Sequence, residues 1–376
     1  MRIAAALAAL LLAGCSTLDS LNPFSGGAKL TELKPIPSPV ALKDLWQASV
    51  GGAGSHVLMP AVVGGSVYAA SRDGTIVRLE DGREVWRVST GKVLSGGVAA
   101  DVKLVAVGTQ KGEVLAFDTA GKPLWEARVS SEVLAPPVIV EGQVIVRSGD
   151  NRIFGLDVLD GKRRWVHQRA TPPLSLRSPA GLAAAGSVVL AGFPGGKLVA
   201  INTANGGTMW EATVATPRGA TELERIADVV GTPVVEGKSV CAVAFQGRIG
   251  CFDLSSGNAL WTRDLSSVAG LDMDGRGVFV SDEKGAIHAL DRANGASLWK
   301  QDQLAGRGSG RPLALDRFVV VGDAGGAVHA LRREDGAFAA RLAGDGSPVS
   351  ADPRRLGGSA FVVQTRKGTL YAAELP

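Results

Sequence analysis

The chain has three cysteines and four histidines, few enough to weigh one at a time. Cys15 follows Leu12-Ala13-Gly14, and ahead of these stand Arg2 and an apolar run from Ile3 to Leu12. A positive start, a short apolar core and small residues before a cut make a cleaved leader. The apolar run is about half the ~20 residues a membrane-spanning helix needs. A thiol placed there can take a diacylglyceryl group, and the new amine can then be acylated. Residues 1–14 therefore read as a leader and Cys15 as the lipidated first residue of the mature chain. Several acyl chains hold a protein on a bilayer, whereas one alone is marginal.

Cys241 and Cys251 flank Phe245-Gln246-Gly247 on the two arms of one hairpin. A three-residue loop with Gly at its last position sets the cysteines opposite each other, close enough to bond in a non-hydrogen-bonded pair. A two-residue loop sends them to opposite faces and leaves two buried thiols. Either way the pair is structural. His56, His167, His288 and His329 lie in separate segments without metal-ligand spacing, and no Ser-His-Asp set can be assembled around them. His288 and His329 each precede Ala-Leu, which marks one tolerated strand position. Gly195-Gly196-Lys197 looks like a piece of a phosphate loop but leads into a strand. The residues call for no metal and no cofactor. Net charge is +4, falling to about +3 once Arg2 leaves with the leader, and no Lys/Arg stripe speaks for nucleic acid.

The elements that carry these residues repeat. Tryptophans 46, 86, 125, 165, 210, 261 and 299 are separated by 40, 39, 40, 45, 51 and 38 residues, and Phe338 follows 39 further on. A period near 40 is the length of a propeller blade. Each unit runs strand, turn, strand, Gly turn, strand, Gly turn, aromatic strand, as in Ile249–Asp253, Gly257 and Trp261. Alternating apolar and polar residues give the period of two of half-buried strands. Gly is 50 of 376 residues, nearly twice the usual share, as many tight turns require. One large aromatic per unit fills the gap between neighbouring sheets, so the tryptophans read as core. The eighth unit begins at Thr369 and stops at Pro376 without an aromatic strand, while the chain opens its ordered part with the strand around Trp46. Placing Trp46 in the last blade closes the ring and removes exposed edges. The expectation is an all-β, eight-bladed β-propeller over 41–376, with four antiparallel strands per blade and the N-terminal strand closing the last one. Residues 15–40, rich in Ser, Pro, Gly and Asn, read as a flexible tether.

The two long spacings are insertions, about Gln168 to Ser178 and Thr216 to Gly231. Both join an outer strand to the next inner strand, so both emerge on one face of the disk. Irregular loops on a rigid scaffold are where function usually sits. Leu174, Leu176 and Arg177 beside Pro172-Pro173 either fold onto their own blade or form a docking spot, with Arg177 offering forked bonds to a carboxylate.

The Asp-x-x-x-Gly-x-x-x-Trp units resemble the repeats of the pyrroloquinoline-quinone enzyme superfamily. Together with the leader, which resembles a bacterial lipobox, and with the Pro-x-Leu-Ser-Leu-Arg and Ala-Thr-Glu-Leu-x-Arg-Ile-x-Asp stretches, the chain is similar to the propeller lipoproteins of the outer-membrane β-barrel assembly (BAM) machinery. That resemblance implies a non-catalytic subunit that docks to BamA, through its POTRA domains, and assists β-barrel proteins into the outer membrane. It implies that Leu174, Leu176, Arg177 and Asp228 make the contact. In the family pattern a second acid follows the matching Asp, and here Val230 stands in its place. Ser16, where an inner-membrane retention signal would put Asp, implies the outer membrane, facing the periplasm. Unfolded client proteins are further implied partners. A quinone-dependent dehydrogenase shares the repeat but needs a vicinal Cys-Cys pair and long insertions over the ring, both absent here. An adaptor of another envelope complex is the remaining reading.

Overall fold

The computed structural model describes residues 30–376; Cys15, Ser16 and the leader lie outside the described residues. Among the described residues there are thirty-two strands, from β1 (Lys43–Ser49) to β32 (Thr369–Glu374), and no helix. They form eight four-stranded antiparallel sheets. Seven are consecutive meanders, blade 1 spanning 61–89 and blade 7 spanning 313–343. The eighth has the order β1, β32, β31 (Ala360–Gln364), β30 (Arg354–Gly357). Lys43 pairs with Glu374 and Trp46 with Ala372, so the first strand closes the ring as predicted. This is the eight-bladed all-β propeller that the spacing of the aromatics calls for.

Burial follows position within a blade. The second strands are submerged, as in Ser66–Ala70, where all five residues are buried. The outer strands alternate with solvent, as in Pro123–Arg128. The core lies between sheets. Leu190, Leu198 and Ala200 of blade 4 pack on Val240, Ala242 and Phe252 of blade 5. Each fully buried side chain of this size contributes about 1.5–3 kcal/mol.

The tryptophans do more than fill space. Each ring lies on the glycine of the outermost turn in the next blade: Trp125 on Gly161, Trp165 on Gly206, Trp210 on Gly257, Trp261 on Gly295 and Trp299 on Gly336. Its indole N–H donates to a carbonyl of that same turn, for example Trp261 Nε1 to Arg292 O at 2.8 Å and Trp299 Nε1 to Arg333 O at 2.7 Å. A Cβ on Gly295 would lie 2.5 Å from the Trp261 ring, and its φ of +72° already favours glycine. The Asp-x-x-x-Gly-x-x-x-Trp repeat thus ties each blade to the next. The Asp oxygen shapes the turn, as Asp253 Oδ1 does by accepting from Ser255 N and Ser256 N, and the Gly accepts the preceding blade's ring.

A bulge accompanies each lock. Ala289 pairs with Trp299 but Leu290 pairs with Ser297, which leaves Leu298 unpaired and 55% exposed. Val85, Leu124, Met209 and Leu260 occupy the same position and are also exposed.

Phe338 faces a blade whose two outermost strands come from opposite ends of the chain, so no connecting turn is available to it. Residues 34–42 lie there instead. Val40 N donates to Ala339 O at 2.8 Å, Arg341 Nη1 donates to Lys34 O at 3.1 Å, and Val40 and Leu42 pack on the core of blades 7 and 8.

In blade 5 Cys241 is paired with Cys251, their Cα atoms are 4.1 Å apart and the sulfurs are bonded. The loop between them has three residues, closed by Ala244 N donating to Arg248 O at 2.9 Å. Its left-handed residue is Gln246, with φ +48°, rather than Gly247 at the last position. Gly247 serves close packing: a Cβ there would lie 2.5 Å from the Ala215 methyl.

Candidate docking face

In each meander the first and third turns fall on one face of the disk. The second turn and the connection to the next blade fall on the other, called here the loop face. The two insertions, between His167 and Leu182 and between Thr213 and Val234, are both on the loop face. They are fastened to each other by Asp228, which is 3% exposed. Its Oδ2 accepts from Leu176 N at 2.7 Å and its Oδ1 from Gly195 N at 3.1 Å. One carboxylate in the second insertion therefore fixes the first insertion and a turn of blade 4. Val230 is buried. The tip of the second insertion is held locally: Glu224 Oε2 accepts from Ala220 N and Thr221 N, and Glu224 N donates to Thr221 Oγ1.

Held this way, the first insertion presents Leu174, 43% exposed, and Arg177, while Leu176 is half-buried. Leu176 and Arg177 roof a small void of about 20 Å³ above Leu134, Arg147 and Asn151. The guanidinium of Arg177 is not free. Its Nε and Nη2 donate to Glu132 Oε1 and Oε2 at 2.6 and 2.7 Å. Glu132 belongs to the connection between blades 2 and 3, where its carbonyl accepts from Gly149 N at 2.7 Å. The bonds from Arg177 hold the Glu132 carboxyl below the usual carboxylate range. Beneath lies Arg147, drawn down to about 10 by burial, with the Asp228 charge opposing.

His56, in the connection that enters blade 1, is 6% exposed, and its Nδ1 has no hydrogen-bond partner among the described residues. Burial lowers its pKa, and the charges of Arg177 and Arg72 add to that. The loop face thus brings together Leu174, Leu176, Arg177 and Asp228, all singled out from the sequence. It adds Glu132, His56, Arg72 and Arg147, which were not. Glu132 is 45 residues from Arg177, and no spacing marks it.

The remaining sequence features fall elsewhere and are structural. His288 Nε2 is 2.9 Å from Asp282 Oδ2, and His329 Nε2 is 2.9 Å from Asp323 Oδ2. These are the same pair in successive blades, each joining a third strand to the turn before it. Asp323 also accepts from Arg307 Nε at 2.6 Å.

The inner strands surround a central cavity of about 370 Å³ lined by Pro60, Pro136, Leu182, Thr232 and Arg354. Nearby acids are committed to neighbours: Asp352 to Arg311 at 3.1 Å, and Asp272 to Ala314 N at 2.8 Å. Among the described residues no group of three or more His, Cys, Asp or Glu is placed to hold a metal ion. With its acids spent on arginine and backbone, and without a vicinal cysteine pair, this donor set does not fit a calcium-bound quinone.

The fold and the loop face together define an eight-bladed propeller of the quinone-repeat kind, with two lengthened connections locked to each other on one face. Such a ring is shared with quinohemoprotein alcohol dehydrogenase from Comamonas testosteroni, at a TM-score of 0.70 and 13% identity over 89% of this chain and 76% of that one, a likeness of fold alone. The crystal structure of BamB from Moraxella catarrhalis is similar at a TM-score of 0.82 and 26% identity, covering 89% of this chain and 100% of that one. The chain is 41% identical over 372 residues to the outer membrane protein assembly factor BamB of Burkholderia pseudomallei (strain K96243), covering 98% of this chain and 96% of that protein. It is 42% identical over 364 residues to the factor of the same name from Bordetella pertussis (strain Tohama I), covering 96% and 93%. The family model described as outer membrane protein assembly factor BamB matches residues 72–301 and 284–375. The chain belongs to that family.

Proposed function

We propose that this chain is a non-catalytic subunit of the machinery that assembles β-barrel proteins into the outer membrane, and that it docks to BamA by its loop face. Cys15 carries the lipid, the chain from there to Leu33 is the tether, shorter than the 15–40 expected because 34–40 pack on blade 7, and the propeller faces the periplasm. Leu174 and Leu176 supply apolar contact, and Arg177 supplies a charge-assisted bond. Asp228, being buried, serves by holding the loop in place. The ring acts as a rigid platform that keeps BamA and unfolded barrel proteins together. The observation that carries this reading is the interlock of the two insertions through Asp228, which fixes an exposed leucine and arginine on one rigid face.

The test is co-purification of the full-length chain with BamA. Arg177→Glu is expected to abolish it while melting temperature stays within a few degrees of the parent. Undiminished co-purification would overturn the docking assignment. Cys15→Ala is expected to move the protein from the membrane to the soluble periplasmic fraction, and persistence on the membrane would overturn the anchor.

A further inference from the structure

We infer that the cavity at the centre of the ring is a binding site for a small organic acid: Arg354 holds its carboxylate, and the apolar inner wall covers the rest of the molecule. The site does not depend on the loop-face docking described above.

The cavity, about 370 Å³, falls within the ~300–1,000 Å³ usual for ligand clefts. Its wall has two sides. Pro60 and Pro136, from the connections entering blades 1 and 3, and Ile139 and Leu182, from the inner strands of blades 3 and 4, make one side apolar. Arg354 and Arg355, both on β30 of blade 8, bring positive charge to the other.

Buried charges are normally paired. Arg354 is half-buried, yet its Nε donates to Pro60 O at 3.3 Å and its Nη2 to the Met59 sulfur at 3.5 Å, both long and both to uncharged acceptors. Among the described residues no hydrogen bond engages its Nη1, and no carboxylate stands within ion-pair distance of it. The acids that could serve are taken by Arg311: Asp352 Oδ2 accepts from Arg311 Nη1 at 3.1 Å, and Asp272 Oδ1 is 3.6 Å from Arg311 Nη2. Arg355 spends its terminal nitrogens on the carbonyls of Gly358 and Ala314, at 3.1 and 2.8 Å. Three arginines thus share two aspartates, an excess of one positive charge. Burial draws Arg354 below the ordinary arginine range, a cost that a bound anion offsets.

A carboxylate fits that excess. It brings one negative charge and two acceptor oxygens for a planar guanidinium, and an apolar body attached to it lies against the prolines and aliphatic side chains. The same count leaves no acid free for a cation.

The probe is benzoate, with benzamide as its uncharged counterpart. Each is titrated calorimetrically into the full-length chain in detergent, and the carbon-labelled methionine methyl resonances are followed alongside. Met59 touches Arg354, whereas Met209, exposed on the outer strand of blade 4, serves as the internal control. Benzoate is expected to saturate and to bind about tenfold or more tightly than benzamide, as the loss of a charge-assisted bond requires. The Met59 methyl should move with it and the Met209 methyl should not. Arg354→Gln, which keeps a donor for Pro60 O, should weaken benzoate by a similar factor, and Arg354→Lys should retain more of the binding. Arg177→Glu should bind benzoate like the parent. Equal binding of benzoate and benzamide, a Met59 methyl that stays in place, or parental affinity in Arg354→Gln would each overturn the site. The first two are read on the parent protein and hold even if the variant fails to fold. Inorganic phosphate binding more tightly than benzoate would overturn the organic acid, and loss of benzoate binding in Arg177→Glu would move the anion off the axis.

Discussion

Two buried aspartates govern what can be expected of single residues. Asp228 satisfies two backbone N–H groups from different segments, so Asp228→Ala leaves both without a partner. An unpaired buried donor costs about 1–3 kcal/mol. The expected result is faster hydrogen exchange at Leu176 and Gly195, with the rest of the ring little changed; Asp228→Asn, keeping one acceptor, should fall between. Asp323 gives a pH dependence. Burial pushes its carboxyl up, but the bonds from His329 and Arg307 outweigh burial and hold it at about 2. His329 lies below its ordinary 6.5 because burial disfavours its charged form, and its Nδ1 accepts from Arg341 Nε at 3.3 Å. The unfolded histidine therefore binds a proton before the folded one does. Its contribution to stability is full above pH 6.5 and is lost as pH falls below that. The Asp323 contribution is full above 3.8 and is lost as pH falls toward about 2. Urea midpoints should decline from neutral pH downward, and His329→Gln should remove the His329 share of the decline below pH 6.5.

At the scale of elements, the repeating unit is a lock between neighbours. Gly295→Ala forces a methyl into the Trp261 ring at a backbone angle that favours glycine, and should cost about 2 kcal/mol or more in a denaturant titration. Trp261→Phe keeps the ring but loses the bond to Arg292 O, and should cost about 1 kcal/mol. Much of this was legible in the sequence. The interval between aromatics gave the blade count, and the missing outer strand after Tyr371 gave the closure by the strand around Trp46. Local pattern carries such features because each lies within one period. Two things stayed hidden for the same reason. The bulge that exposes Leu298 depends on the register between two strands, which a residue list does not contain. Glu132 meets Arg177 only because consecutive connections converge on one face. The loop residues 174–177 were visible as an interruption of the period; what holds them and what they face were not.

For the molecule as a whole, stability is shared among eight similar interfaces, one of them made differently. The join between blades 7 and 8 has Phe338 in place of a tryptophan and the segment 34–42 in place of a turn. Hydrogen exchange should find β1 among the least protected strands of the ring. The opposite extreme is blade 5, where the bond between Cys241 and Cys251 spans 10 residues. Its loss in a Cys241→Ala, Cys251→Ala double variant should cost about 2–3 kcal/mol by loop-closure entropy. Closure through the first strand also sets a schedule. Lys43 finds Glu374 across 331 residues, so the partner of the first strand is made only after the seven blades between them. Seven blades can assemble in order as they emerge, each on the one before. The strand that leads the way has to wait, unpaired, until the tail arrives. A nascent copy halted anywhere short of β32 is an open arc with a loose end, and only a chain that includes that strand becomes a circle.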